Sequence, residues 1–446
     1  MARPDYAFVI AGSSPGRGVQ RILAGMSHRP IALMIVALAV AMTAVAPAVA
    51  DGLGTLRAAI DRAARLDPVL RTLDARADEV DASRAAAAGL FPGAPVVGTS
   101  LRRDRPDRDL GRNEVEFEVG LPLWLPGQRA LRQQVAGDEG AGREAALADA
   151  RLQVAGRVRE SLWTLVFARL DETAATRRIA TVDRLVADVE RRVAAGVLAR
   201  TDLLLARAEA TAARSLLIDA RARVEQAMLG WQALAGDRVL PVSWVETEQT
   251  GAPQGRNSSG YAEVDRTSSI VAHPSMVAAL GEVELARSRL KLASESTRDP
   301  PELGLQHRSD RDVSGADYRN SVRVALRVPL ATEARNRPRI AAANTERVRA
   351  ESGLLQLQRR IEADRARAGA ELDAARAQEA NARERLRDAT EHLALVRRAF
   401  DLGEQSLVAM LRALALADEA QADLDRQVAA RDRSIARINQ AAGVLP

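Results

Sequence analysis

Three carboxylates, Glu114, Glu116 and Glu118, alternate with Val115, Phe117, Val119 and Leu121 in the stretch NEVEFEVGLPLW at 113–124. Two arginines, Arg323 and Arg327, alternate with Val322, Val324, Leu326 and Val328 in NSVRVALRVPL at 320–330. A period of two places the charges on one face of a strand and the apolar side chains on the other. The chemistry open to such charges is electrostatic: they pair with one another or they meet ions and water. Other reactive residue types form no pattern. Beyond residue 50 the histidines are His273, His307 and His392, far apart and without a carboxylate at metal-motif spacing. Gly12-Ser13-Ser14-Pro15-Gly16 fits G-x-S-x-G but precedes an apolar leader, and Gly137, Gly140 and Gly142 lack the Lys-Ser/Thr of a phosphate loop. No acid and base are paired for catalysis, so neither an enzyme nor a bound cofactor or metal is expected.

The elements that carry these charges sit in an unusual composition. Of 446 residues, 47% are hydrophobic but only 3% aromatic, with Ala supplying much of the apolar count. Ala-rich helices packed along narrow seams suit this better than a bulky globular core. The net charge is +5, of which the first 50 residues hold +3 through Arg3, Arg17, Arg21 and Arg29 against Asp5. The remainder is nearly balanced, with both signs interspersed, which is a solvated helical surface and not a nucleic-acid footprint. The absence of cysteine excludes disulfides, thiolate metal sites and a lipid-modified N-terminal Cys.

In chain order, IALMIVALAVAMTAVA at 31–46 follows Arg29 and precedes Ala48-Val49-Ala50, which reads as a secretory signal peptide over residues 1–50. Residues 1–25 are an upstream extension if translation begins at Met26 instead of Met1. Helix is expected from Thr55 to Ala88 with a break at Pro68, then strands at about 95–102 and 113–124 joined by the charged turn 104–112. A long helix runs from about 126 to 195 and turns at Gly196-Val197-Leu198-Ala199-Arg200-Thr201-Asp202. The returning helix stops near Gly236. Residues 242–266 lack periodicity and read as a connector. The plan then repeats. Ala272-His273-Pro274 answers Leu66-Asp67-Pro68, strands begin at Glu302 and Asn320, a long helix covers about 334–401, and Leu402 to Ser406 forms the second turn. The two copies, 51–241 and 267–446, are offset by about 207 residues, a duplication of one large unit.

The fold class expected is therefore mainly α with a small β part, each repeat holding long α-helical hairpins and a two-stranded β-hairpin. Four strands are too few to close a barrel, since outer-membrane barrels start at about eight strands and open edges are excluded from lipid. If the strands span a membrane, the chain must oligomerise. Val115, Phe117, Val119, Leu121, Val322, Val324, Leu326 and Val328 would then face lipid. Glu114, Glu116, Glu118, Arg323 and Arg327 would line a pore, either paired across strands or solvated. Trp124, and less clearly Tyr318, suit an interfacial aromatic belt.

This pattern resembles the TolC-like outer membrane efflux protein family across the whole chain after the leader. PLWLPGQRALR at 122–132 and VRVALRVPLATEARNRPRIAAANTE at 322–346 resemble segments of its cation-efflux (CzcC-like) branch, which serves heavy-metal resistance. The resemblance implies a homotrimer with a twelve-stranded outer membrane β-barrel on a periplasmic α-helical tunnel. It implies a passive exit duct for heavy-metal cations, or drugs instead, coupled through a periplasmic membrane-fusion adaptor to an inner-membrane pump of the RND type. The turns carrying Gly196, Thr201, Asp202, Arg207, Gly403 and Ser406 would form the periplasmic entrance and adaptor contact. Where some members hold a constricting carboxylate ring, this chain has Ala409 and Arg412. Closure would fall to Leu407 or Met410 sterically, or to an Arg412–Asp202 pair. The alternative is a periplasmic structural coiled-coil protein without a pore.

Overall fold

Glycine and capping residues cut the chain where its apolar periodicity changes. The structure, a computed structural model, describes residues 54–104, 110–249 and 270–446. The expected signal peptide, most of the connector and the middle of the first hairpin turn lie outside the described residues. Those described form one compact unit.

Helix α1 (Leu56–Leu66) stops at Asp67, whose carboxylate accepts from the backbone N–H groups of Val69 (2.9 Å) and Leu70 (3.1 Å) and so starts α2 (Pro68–Ala88). Proline at the first helical position needs no hydrogen-bond partner. Strands β1 (Val96–Arg103) and β2 (Asn113–Pro122) follow, then α3 (Gln128–Ala194) and α4 (Arg200–Ala235). In the second repeat, α5 (Pro274–Glu295), β3 (Glu302–Arg311), β4 (Arg319–Arg327), α6 (Glu333–Asp401) and α7 (Leu407–Ala441) take the corresponding places. His273 does for α5 what Asp67 does for α2: its Nδ1 accepts from Ser275 N–H at 3.2 Å. At 1.5 Å per residue, α3 with 67 residues and α6 with 69 each extend about 100 Å.

The helices pack in pairs, α3 with α4 and α6 with α7. Among the described residues α3 also packs along α1, α2, α5 and α7, whereas α4 packs mainly along α1 and α3, and α6 mainly along α5 and α7. The seams are narrow because alanine lines them: Ala206, Ala210, Ala213 and Ala220 on α4 and Ala413, Ala417 and Ala420 on α7 are all buried. Between α3 and α5, Gly142 and Gly281 come so close that a Cβ on Gly281 would stand 3.3 Å from Gly142 Cα. One larger core gathers Trp231, Val154, Val158, Leu165 and Ile60 near the ends of the first repeat. The four strands form a single antiparallel sheet in the order β1-β2-β3-β4. The two repeats are thus joined through the β2–β3 pair, in register from Asn113↔Arg311 to Pro122↔Glu302.

Candidate functional site

The sheet sorts side chains by sign of polarity. Antiparallel partners share a face. Glu114, Glu116 and Glu118 therefore lie with Ser100 and Arg102 of β1, Gln306, Arg308 and Asp310 of β3, and Arg319, Ser321, Arg323 and Arg327 of β4. The opposite face holds Val97, Leu101, Val115, Phe117, Val119, Leu121, Leu303, Leu305, Val322, Val324 and Leu326, with His307 between Phe117 and Val322. This apolar face is open: Val97 is 75% exposed, Val322 69%, Val324 68% and Phe117 54%. Val328, just beyond β4, is exposed as well. Among the described residues neither β1 nor β4 has a partner on its outer edge. The sheet is closed at its ends by aromatic residues. Trp124 donates to the Gly89 carbonyl at 3.1 Å with the Arg132 guanidinium 5.2 Å from its ring centre. At the turn end the Tyr318 hydroxyl accepts from Asn113 at 2.9 Å, and Arg311 stands 5.1 Å from the ring centre.

The sequence placed Glu114, Glu116, Glu118, Arg323 and Arg327 on one face, but direct pairing among them does not occur. Strand β3 lies between β2 and β4, and its residues take the partners. Arg308 stands 3.0 Å from Glu114 and 3.9 Å from Glu116, while Arg327 binds Glu302 at 2.8 Å. Ser100 also donates to Glu116 at 3.2 Å. Arg308 was missed because QHRSDR alternates weakly; counting by twos from Glu302 would have found it.

The helical turns are built alike. Gly196 (φ 75°) and Gly403 (φ 79°) adopt the left-handed conformation that closes each long helix. Gly196 N–H donates to Val193 and Val197 N–H to Arg192; Gly403 N–H donates to Phe400 and Glu404 N–H to Ala399. Asp202 accepts from Ala199 N–H at 3.2 Å, and the Ser406 hydroxyl from Ala409 N–H at 3.2 Å, which starts the returning helices. Thr201 is exposed, and Arg207 pairs with Glu190 at 2.7 Å. Two expectations for this end concern closure. Leu407 and Met410 are 2% and 6% exposed, packed against Val182, Leu185, Val189 and Phe400, because they form the seam between α7 and α3. Both are core residues within the single chain. Arg412 is exposed and forms no ion pair among the described residues; Asp202 is engaged as a helix cap instead. The contact that does join the two turns is Arg192, which binds Asp401 at 2.7 Å and Asp188 at 2.8 Å and lies 4.8 Å from the Phe400 ring centre.

A third cluster fastens the start of the connector. Arg159 of α3 is 4% exposed and binds both oxygens of Glu246 at 2.8 Å, and it also donates to Gln440 and to the Val444 carbonyl. Asn439, fully buried, donates to Glu246 and accepts from Gln249 N–H. These groups lie up to 285 residues apart, so no local signal could have shown them. His273 is satisfied as a helix cap; burial and the Arg365 charge hold its pKa below the ordinary imidazole value, opposed by Asp149. Among the described residues no group of His, Asp and Glu is arranged to hold a metal ion, and no helix is long and apolar enough to cross a membrane.

Residues 59–237 match the family of outer membrane efflux proteins. Among curated proteins no sequence matches. Several solved structures share the fold. The outer membrane protein VceC of Vibrio cholerae superposes with a TM-score of 0.67 at 15% identity, over 87% of this chain and 96% of that one. The CmeC outer membrane channel of Campylobacter jejuni gives 0.68 at 15% identity, over 87% and 85%. CusC, described in connection with transmembrane channel formation, gives 0.69 at 15% identity, over 88% and 92%. Residues 59–237 therefore carry the sequence pattern of the outer membrane efflux protein family, set within the fold that these solved structures share.

Proposed function

We propose that the protein is the outer membrane channel component of a tripartite efflux system, a passive exit duct and not an enzyme. The observation that carries this reading is the sheet: one face apolar and exposed, the other charged, with both edges open. An exposed apolar face with unpaired edges is unstable in water and suits lipid once the edges are joined. Three copies would give twelve strands, enough to close a barrel, with the apolar residues toward outer membrane lipid and the charged face toward the lumen. The free flanks of α4 and α6, with Leu204, Leu216 and Ile218 of α4 exposed, support joining of neighbouring copies along the helices as well. The long helices would form the periplasmic tunnel. The turns at Gly196 and Gly403 would meet a periplasmic membrane-fusion adaptor, and an inner-membrane pump of the RND type would supply the energy.

For the cargo we take heavy-metal cations, on the resemblance of 122–132 and 322–346 to the cation-efflux branch, with drugs as the competing class. Fractionation tests the duct: heat-modifiable trimers in the outer membrane that conduct ions in planar bilayers are expected. A soluble periplasmic monomer would overturn it in favour of a structural coiled-coil protein. Deleting the gene and measuring resistance to zinc, cobalt, cadmium, copper and several drugs separates the cargo classes.

A further inference from the structure

The charged face of the sheet is not uniform along its length. Toward the turns, Glu114, Glu116 and Asp310 surround Arg308, and Arg319 reaches Asp310. Toward the helices, Glu302 holds Arg327. One cross-strand row between them has no such neutralisation. It runs Gly98, Glu118, Gln306, Arg323. Glu118 and Arg323 form no ion pair among the described residues, because the uncharged Gln306 separates them. Two strand spacings hold their backbones about 9.6 Å apart.

Joining another copy does not remove this gap. The free edges are β1 and β4. On the charged face β1 offers Val96, Gly98, Ser100 and Arg102, and β4 offers Arg319, Ser321, Arg323, Ala325 and Arg327. Neither edge carries a carboxylate on that face, so no strand laid against β4 from another copy brings one next to Arg323. The flanking row toward the helices is Val96, Gly120, Gly304 and Ala325, small side chains that leave the Glu118 carboxylate room over Gly304.

We infer that Glu118 and Arg323 form a ring of alternating fixed charges inside the closed barrel, whose balance leaves the barrel without preference between cations and anions. This rests on the duct reading above. Each sign offsets the other, so the intact ring passes small charged solutes of either sign, and it is no cation-binding site. Losing one member leaves the other to act alone.

The chain has no cysteine, which permits a direct test. Glu118→Cys and Arg323→Cys are expressed separately in intact cells. Each is treated with a cationic trimethylammonium and an anionic sulfonate methanethiosulfonate reagent, with Ser321→Cys as the reference and Val119→Cys as the lipid-facing control. A unit charge acting across about 10 Å of water changes each rate about twofold. Glu118→Cys is expected to favour the anionic reagent and Arg323→Cys the cationic one, each by about fourfold, so that their rate ratios differ by about sixteenfold. High salt is expected to compress that difference. Equal ratios at both positions, with Ser321→Cys reactive, would overturn the ring and leave the duct standing. No reaction at any of the three charged-face positions, or preferential reaction at Val119→Cys, would overturn the lumen assignment itself and the ring with it.

Discussion

The sheet and the helical turn end of this molecule handle apolar side chains in opposite ways. At the turns, Leu407, Met410, Val189 and Phe400 are buried and the arginines and acids lie outside. In the sheet, Phe117, Val322, Val324 and Leu326 are exposed, and on the opposite face Glu114 is 6% exposed beside Arg308. The hydrophobic effect explains the first region as it stands, since apolar area is removed from water within one chain. It does not explain the second until another solvent or another copy covers the apolar face. The proposed duct meets that requirement with water at one end and lipid at the other.

The largest expected effect compares the same kind of truncation in both regions. Leu407→Ala should cost about 2–5 kcal/mol in the detergent-solubilised protein, because it empties a packed seam. Leu326→Ala, 62% exposed, should cost far less there. Chemical denaturation of the helical signal would show it, and equal losses would break the contrast.

A charge on the apolar face comes next. Val324→Arg should cost about 2–4 kcal/mol per copy if the residue lies at mid-depth in lipid. Outer-membrane trimers would be depleted while helix content stays intact. Unchanged yield of heat-modifiable trimer would argue against lipid contact at β4.

Gly403→Ala probes the turn alone. Its φ of 79° is strained for any residue with a Cβ, and nothing stands within 4 Å of where that Cβ would go. A loss of about 1–2 kcal/mol is expected from backbone conformation only. Gly196→Ala should match it in thermal scans, and a large inequality would show that the two turns are not equivalent.

The smallest effect concerns His273, in neither region. Its folded pKa is lowered, so below the ordinary value of about 6.5 the unfolded chain takes up a proton that the folded chain resists. Stability should fall as pH drops through the window between that value and the folded one. His273→Asn keeps a capping acceptor without a titrating ring. Melting curves of both proteins at pH 5 and 7.5 should show a smaller pH dependence in the variant.

Much of the fold was legible because its signals are local. The ends of α3 and α6 fall beside Gly196 and Gly403, the break at Asp67-Pro68 is a capped helix start, and the alternation at 113–122 is a strand. The site was legible by face but not by partner. Glu114 and Glu116 were read against Arg323 and Arg327, yet Arg308 holds them, since sequence alternation says nothing about which strand lies beside which. Leu407 and Met410 were candidates for closure through the family resemblance, because Ala409 and Arg412 stand where some members hold carboxylates, and only the packing against α3 shows that they are buried within the chain.

The sequence by itself determined the periodicities, the caps and the two-fold repeat, all of which act within a few residues through backbone geometry. Tertiary structure alone decided the order β1-β2-β3-β4, which inserts β3 between the acids and the arginines and leaves Glu118 and Arg323 unpaired. It also decided that Arg159 meets Glu246 and Gln440, and that Arg192 ties one turn to the other. Such contacts depend on distances in space between groups far apart along the chain, and those distances exist only once the helices and strands have packed.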